Sequence, residues 1–118
     1  MIGIMAIGLG WGAPAQATAW TPVTPAGLEQ QWIDTDSIQR LPDGTVQVSS
    51  LYINSRRSPP ERITYLTEYR CQTEEFRDVA SNGEPGDLTW HPVAGDPLNA
   101  QTLADVCARA EERDRKPE

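Results

Sequence analysis

The side chains able to do chemistry in this sequence are few and scattered. His91 is its single histidine, so a Ser-His-Asp relay would have to draw in Asp87 or Asp96 and a serine such as Ser49, Ser50 or Ser81. That relay needs its nucleophile on a strained turn beside an oxyanion hole, and no nucleophile elbow of the G-x-S-x-G kind occurs. Asp34 and Asp36 offer paired carboxylates for acid-base work. In Asp34-Thr35-Asp36-Ser37-Ile38, however, short polar side chains sit where they bond neighbouring backbone amides, which reads as a bend or one capped helical turn. Calcium at Asp34, Asp36 and Asp43 would lack the ligand spacing of an EF-hand. Two cysteines and a lone histidine do not make a four-ligand zinc set. The expectation is therefore binding and not catalysis, with no enzyme activity, no cofactor and no metal.

Two features could carry that binding. Arg56-Arg57 lies on a proline-bounded loop, where two adjacent guanidinium groups can grip a carboxylate or phosphate on a partner, although a solvated loop is the more ordinary reading of such a pair. Leu66, with either Leu51 or Ile53, falls on the strand face opposite the one expected to pack in the core, and apolar side chains there need a cover. An unidentified partner protein is the expected occupant, with a second copy of the chain as the alternative. Trp20, Trp32 and Trp90 are core residues or interface residues, and sequence does not separate the two.

Composition narrows the class of partner. The chain has 118 residues and a formal net charge of −7, from ten Lys+Arg against seventeen Asp+Glu. That balance argues against nucleic acid and anionic lipid surfaces, and the length suits one domain. Residues 1–28 carry no charge. Met1 to Trp11 form an apolar run too short to span a bilayer, followed by Ala13-Pro14-Ala15-Gln16-Ala17-Thr18-Ala19 with A-x-A spacing. The expectation is a signal peptide over residues 1–19, cleaved after Ala17 or Ala19, with the basic n-region supplied by a start codon slightly upstream. The first cysteine is Cys71, so no lipid anchor is expected. A periplasmic or secreted domain over 20–112 and a charged, fraying tail over 113–118 remain. In that compartment Cys71 and Cys107 are expected to form one disulfide, contributing roughly 4 kcal/mol by loop closure.

The elements that would position these residues follow from hydrophobic period. Trp20–Val23, Glu29–Asp34, Thr45–Asn54, Ile63–Cys71 and Phe76–Ala80 read as strands, with a brief one near Trp90–Val93. Ile63, Tyr65, Thr67 and Tyr69 alternate with Thr64, Leu66, Glu68 and Arg70 in the period of a sheet with one buried face. Leu41-Pro42-Asp43-Gly44-Thr45 is a hairpin turn. Ser55–Pro60 and Ser81–Asp87 read as loops, the second flexible. From Asp96, an N-cap with Pro97 behind it, the period becomes 3.6, and Leu98, Thr102, Leu103, Val106, Cys107 and Ala110 form one stripe. The fold class expected is α+β: an antiparallel meander of five to six strands with one C-terminal helix on one face, oriented by the disulfide.

The succession Trp32-Ile33-Asp34-Thr35-Asp36-Ser37-Ile38, the strand TVQVSSLY, Tyr69-Arg70-Cys71, Phe76-Arg77, Trp90 with Val93, and a last helix carrying Val106-Cys107 resembles the surface-adhesin protein E-like family of small secreted bacterial domains. The resemblance runs in order along almost all of the mature chain and implies an antiparallel sheet flanked by a helix. The family's named member is a lipid-anchored surface protein that binds host matrix proteins. The function expected is a small non-catalytic extracytoplasmic binding domain. The alternatives are an enzyme inhibitor presenting the SRRSPP loop, an accessory subunit of an envelope complex and, behind both, a small hydrolase.

Overall fold

The structure, a computed structural model, describes residues 19–116. The expected signal peptide lies outside these residues apart from Ala19. Eight strand segments form one antiparallel sheet: β1 (Trp20–Pro22), β2 (Glu29–Asp34), β3 (Gln39–Arg40), β4 (Val46–Asn54), β5 (Glu61–Arg70), β6 (Glu75–Ser81), β7 (Glu84–Pro85) and β8 (His91–Pro92). Among the described residues a single α-helix, α1 (Pro97–Arg115), follows. The main path runs β1-β2-β4-β5-β6-β7, while β3 pairs with β4 and β8 with β6.

One edge of β4 is shared by β2, which pairs with Ser50 to Asn54, and β3, which pairs with Val46 and Gln47. Between them the chain makes a 3-10 turn over Thr35–Ser37, capped by the Asp34 side chain accepting from the Asp36 amide at 3.0 Å. The Ser37 hydroxyl then accepts from the Ser49 amide at 2.8 Å, satisfying a donor that the interrupted ladder leaves free.

Alternation sorts β4 and β5 into two faces. Val46, Val48, Ser50 and Tyr52 lie opposite Tyr69, Thr67, Tyr65 and Ile63. Of these, Val46, Val48 and Tyr69 join Ile33, Ile38, Phe76, Val93, Leu103, Val106 and Ala110 in the core. The helix supplies Thr102, Leu103, Val106 and Ala110 to it, the centre of the expected stripe, with Leu98 and Cys107 at its margins. Asp96 caps the helix by accepting from the Asn99 amide at 3.1 Å. Cys71 and Cys107 are joined, S–S 2.06 Å, pinning the end of β5 to the middle of α1. The fold is the antiparallel sheet with one helix on one face that periodicity led us to expect.

Two segments differ from expectation. Ser81–Asp87 is not a flexible loop: Asn82 and Gly83, at φ 49° and 81°, turn the chain directly from β6 into β7. Asn-Gly is the dipeptide that a two-residue hairpin needs, since both positions take positive φ. The Asn82 side chain also accepts from the Thr64 amide at 2.9 Å. Returning, the chain crosses so close to β6 that a Cβ at Gly86 would collide with the carbonyl oxygen of Asp78. The second difference is the charged end. Arg113 lies within α1 and donates to the Ile38 carbonyl at 2.8 Å and the Thr35 carbonyl at 2.7 Å, while Asp114 pairs with Arg40 at 2.8 Å. The expected fraying over 113–115 is replaced by docking, because the helix passes over the 3-10 turn whose outward carbonyls accept a cation.

Candidate protein-binding surface

The helix covers one side of the sheet, so the other face must be accounted for separately. Trp32 faces Leu51 across β2 and β4, Ser49 faces Leu66, and Leu66 faces Ala80 across β5 and β6. None of the apolar residues Trp32, Leu51 and Leu66 belongs to the core cluster beneath the helix. Leu66 and Trp32 are half-buried, whereas Leu51 is only 5 % exposed, so the expected need for a second cover falls on Leu66 and Trp32 and not on Leu51. The Trp32 indole nitrogen is buried without a hydrogen-bond partner, an uncompensated donor on this face. Trp20, in the edge strand, is 36 % exposed.

Beyond the apolar row lies a charged cluster. Glu68, 6 % exposed, accepts from Arg77 Nε at 2.9 Å on one oxygen and from Gln47 Nε2 at 3.0 Å on the other. A buried carboxylate is tolerable only when paired and hydrogen-bonded in this way. The Arg77 guanidinium lies 4.6 Å from the Trp90 ring centroid and that of Arg70 3.9 Å from it, so the indole sits among two cations. Such contacts are each worth about 0.5–1 kcal/mol at an exposed site. Arg70 also pairs with Glu75 at 3.2 Å; hydrogen bonds from Thr73 and Arg70 hold the Glu75 carboxyl below its ordinary range. The face thus presents apolar side chains at one end and planar guanidinium groups on a tryptophan at the other, the composition from which binding hot spots are made.

The residues expected to bind a partner are not brought together. Leu66 is on the open face. Arg56 reaches Glu29 at 3.4 Å, and Glu29 also accepts from the Tyr52 hydroxyl at 2.9 Å. Arg57 reaches Glu61 at 3.8 Å. Glu29 and Glu61 share the strand parity of Ile33 and Tyr69, the helix-facing set, so both arginines associate with the far side of the sheet from Leu66. Both arginine side chains remain more than half exposed, which makes each ion pair worth about 0–1 kcal/mol. The cations that share Leu66's face, Arg62, Arg70 and Arg77, were legible from parity: Arg62 and Arg70 fall on the strand parity of Leu66, and Arg77 follows the core residue Phe76. Trp90 was not, because a loop and not a strand period sets its position.

The other candidates resolve into local structure. Asp34 caps the 3-10 turn, and Asp43 accepts from both the amide and hydroxyl of Thr45, at 3.0 and 2.8 Å, which holds its carboxyl low. His91 is exposed and stacks near Phe76, ring centroids 5.6 Å apart; among the described residues no serine hydroxyl bonds to it. Ser50, fully buried, has an unpartnered hydroxyl within the core. Among the described residues no three His, Cys, Asp or Glu side chains gather as a metal site.

A model described as the Surface adhesin-E family matches residues 21–113 of the chain. No curated protein and no solved structure matches it significantly.

Proposed function

Because the chain belongs to the surface adhesin-E family, we propose that it is a non-catalytic binding domain, working in the periplasm or outside the cell, that engages a partner protein through the helix-free face of its sheet. The observation that carries this reading is the face itself: half-buried Trp32 and Leu66 on the parity opposite the helix-facing set, Trp32 paired with Leu51 and Leu66 with Ser49, bordered by Arg70 and Arg77 on Trp90. The disulfide supports the compartment, since such bonds persist where the surroundings are oxidising.

A photo-crosslinking residue at Ser49, between Leu51 and Leu66 on that face, tests the reading in whole cells, with the same residue at the exposed helix position Gln101 as control. Adducts with a second protein from Ser49 but not from Gln101, lost on Leu66→Glu, are expected. Adducts only from Gln101, or none from Ser49, overturn the face as the binding surface. An adduct of twice the chain's own mass reassigns it to an interface between two copies.

A further inference from the structure

The charges of the open face are spent unequally. Its strand parity gathers Asp34 on β2, Arg62, Glu68 and Arg70 on β5, and Glu75 and Arg77 on β6. The acids are used up inside the fold: Asp34 caps the 3-10 turn, Glu68 is buried beneath Arg77 and Gln47, and Glu75 accepts from Thr73 and Arg70. The arginines are not. Each guanidinium has five donors and no acceptor. Arg77 places Nε and Nη2 on Glu68, and Arg70 places Nη1 on Glu75, which leaves donors on both. Arg62 is exposed, and Glu61 beside it lies on the other face and pairs with Arg57. We propose that the partner of this face is a protein whose contact patch is apolar at its centre and carries carboxylates at its border, with Arg62 and Arg70 as the outer anchors. The proposal rests on the reading of this face as the binding surface and adds the chemistry of what it takes.

The spacing supports such a patch. Arg62, Leu66 and Arg70 stand four residues apart on one strand and on one side of it. At about 3.3 Å per residue, each arginine is about 13 Å from Leu66 along the strand, and the two are about 26 Å from one another. With the reach of the arginine side chains added, that span is the width of the roughly 800 Å² that each protein contributes to an interface of standard size. Between the arginines the surface is apolar: Leu66, Ala80 opposite it, and Trp32 are all half-buried. A planar guanidinium fork takes a carboxylate through two parallel hydrogen bonds, which makes the carboxylate its best-matched side-chain partner.

The rest of the molecule favours the same orientation. On the helix-bearing side, a cleft of about 300 Å³ between the first turn of α1 and strands β2, β5 and β6 is lined by Asp78 and Asp96 and by neither lysine nor arginine. An acidic partner meets like charge there, in a chain of net charge −7, and finds unspent guanidinium donors on the open face. A second copy docked face to face would oppose two arginine-bordered patches with no unspent carboxylate between them.

The full chain carrying the photo-crosslinking residue at Ser49 tests the chemistry in whole cells. Arg62→Glu should reduce the Ser49 adduct roughly fivefold, as an attractive pair at the border turns repulsive. Arg62→Lys should retain most of it, and Arg115→Glu, the same change in net charge placed on the helix, should leave it intact. With the purified chain, two-dimensional amide NMR should show saturable shifts at Arg62, Leu66 and Arg70 on addition of the blocked hexapeptide EEWLEE, weakening as salt is raised, and none with KKWLKK. An adduct unchanged in Arg62→Glu, an equal loss in Arg115→Glu, or shifts with KKWLKK overturn the acidic partner and leave the face a binding surface. Shifts with dextran sulfate but not with EEWLEE also overturn it, in favour of an anionic polysaccharide. Absence of any Ser49 adduct in the wild type overturns the face as a binding surface, and this inference with it.

Discussion

The hydroxyl of Tyr69, fully buried in β5, donates to Asn99 Oδ1 in the first turn of α1 at 2.9 Å. Asn99 in turn donates to Asp96, the residue that caps the helix. One chain of hydrogen bonds therefore runs from the centre of the sheet to the helix N-terminus, while the disulfide ties the same strand's end to the helix middle. Burial pushes the Tyr69 phenol far above its ordinary range, which keeps the proton that this hydrogen bond needs on the hydroxyl at neutral pH.

Tyr69→Phe keeps the ring and removes only that donor. The variant should be less stable by about 1–3 kcal/mol, the cost of an acceptor left unmet, as read from urea denaturation, with a near-ultraviolet circular dichroism spectrum that retains the folded signature. A loss below about 0.5 kcal/mol would mean that solvent in the cleft replaces the bond.

Cys107→Ala opens the longest covalent loop in the described chain and leaves the core residues in place. A loss of roughly 2–5 kcal/mol is expected in denaturant midpoint measurements, and reduction of the wild type should give the same midpoint as the variant.

Arg113→Ala should cost about 1–2 kcal/mol, because its two hydrogen bonds reach carbonyls of the 3-10 turn. Arg115→Ala, removing only exposed ion pairs within the helix, should stay within about 0.5 kcal/mol. Equal effects would show that the end of α1 is not docked as described.

For Asp78 the sign follows from its raised carboxyl. A carboxyl whose folded value lies above its unfolded one stabilises in its protonated form; that contribution is complete below the ordinary carboxylate range and is lost as pH rises through the raised value. Asp78→Asn should therefore exceed the wild type in melting temperature at pH 7, and the advantage should shrink as pH falls through the raised value and be gone below about 4. A difference independent of pH would show that Asp78 is not desolvated.

Arg56→Ala/Arg57→Ala should change stability by less than about 0.5 kcal/mol, since both ion pairs are exposed. The crosslink from Ser49 should also survive the double change, because neither arginine borders Leu66; its loss would extend the partner's footprint around the sheet edge.

Strand and helix periods were enough to place β2 and α1 and to assign Val46, Val48 and Tyr69 to one face, since a buried face imposes period two on strands and 3.6 on helices whatever the rest of the chain does. The Asp34 and Asp96 caps were legible for the same reason: each bond closes within three residues. The Asn82-Gly83 turn lies where a flexible loop was expected, although its dipeptide names the turn type. Only tertiary structure decided which charges meet. Arg56 and Leu66, ten positions apart in sequence, end on opposite sides of the sheet, while Arg70, Arg77 and Trp90 converge from two strands and a loop. The cleft has the same origin. Gln31, Tyr65, Asp78 and Asn99 come from three strands and a helix and line one cleft only because the packed chain brings those elements together, which no local pattern prescribes.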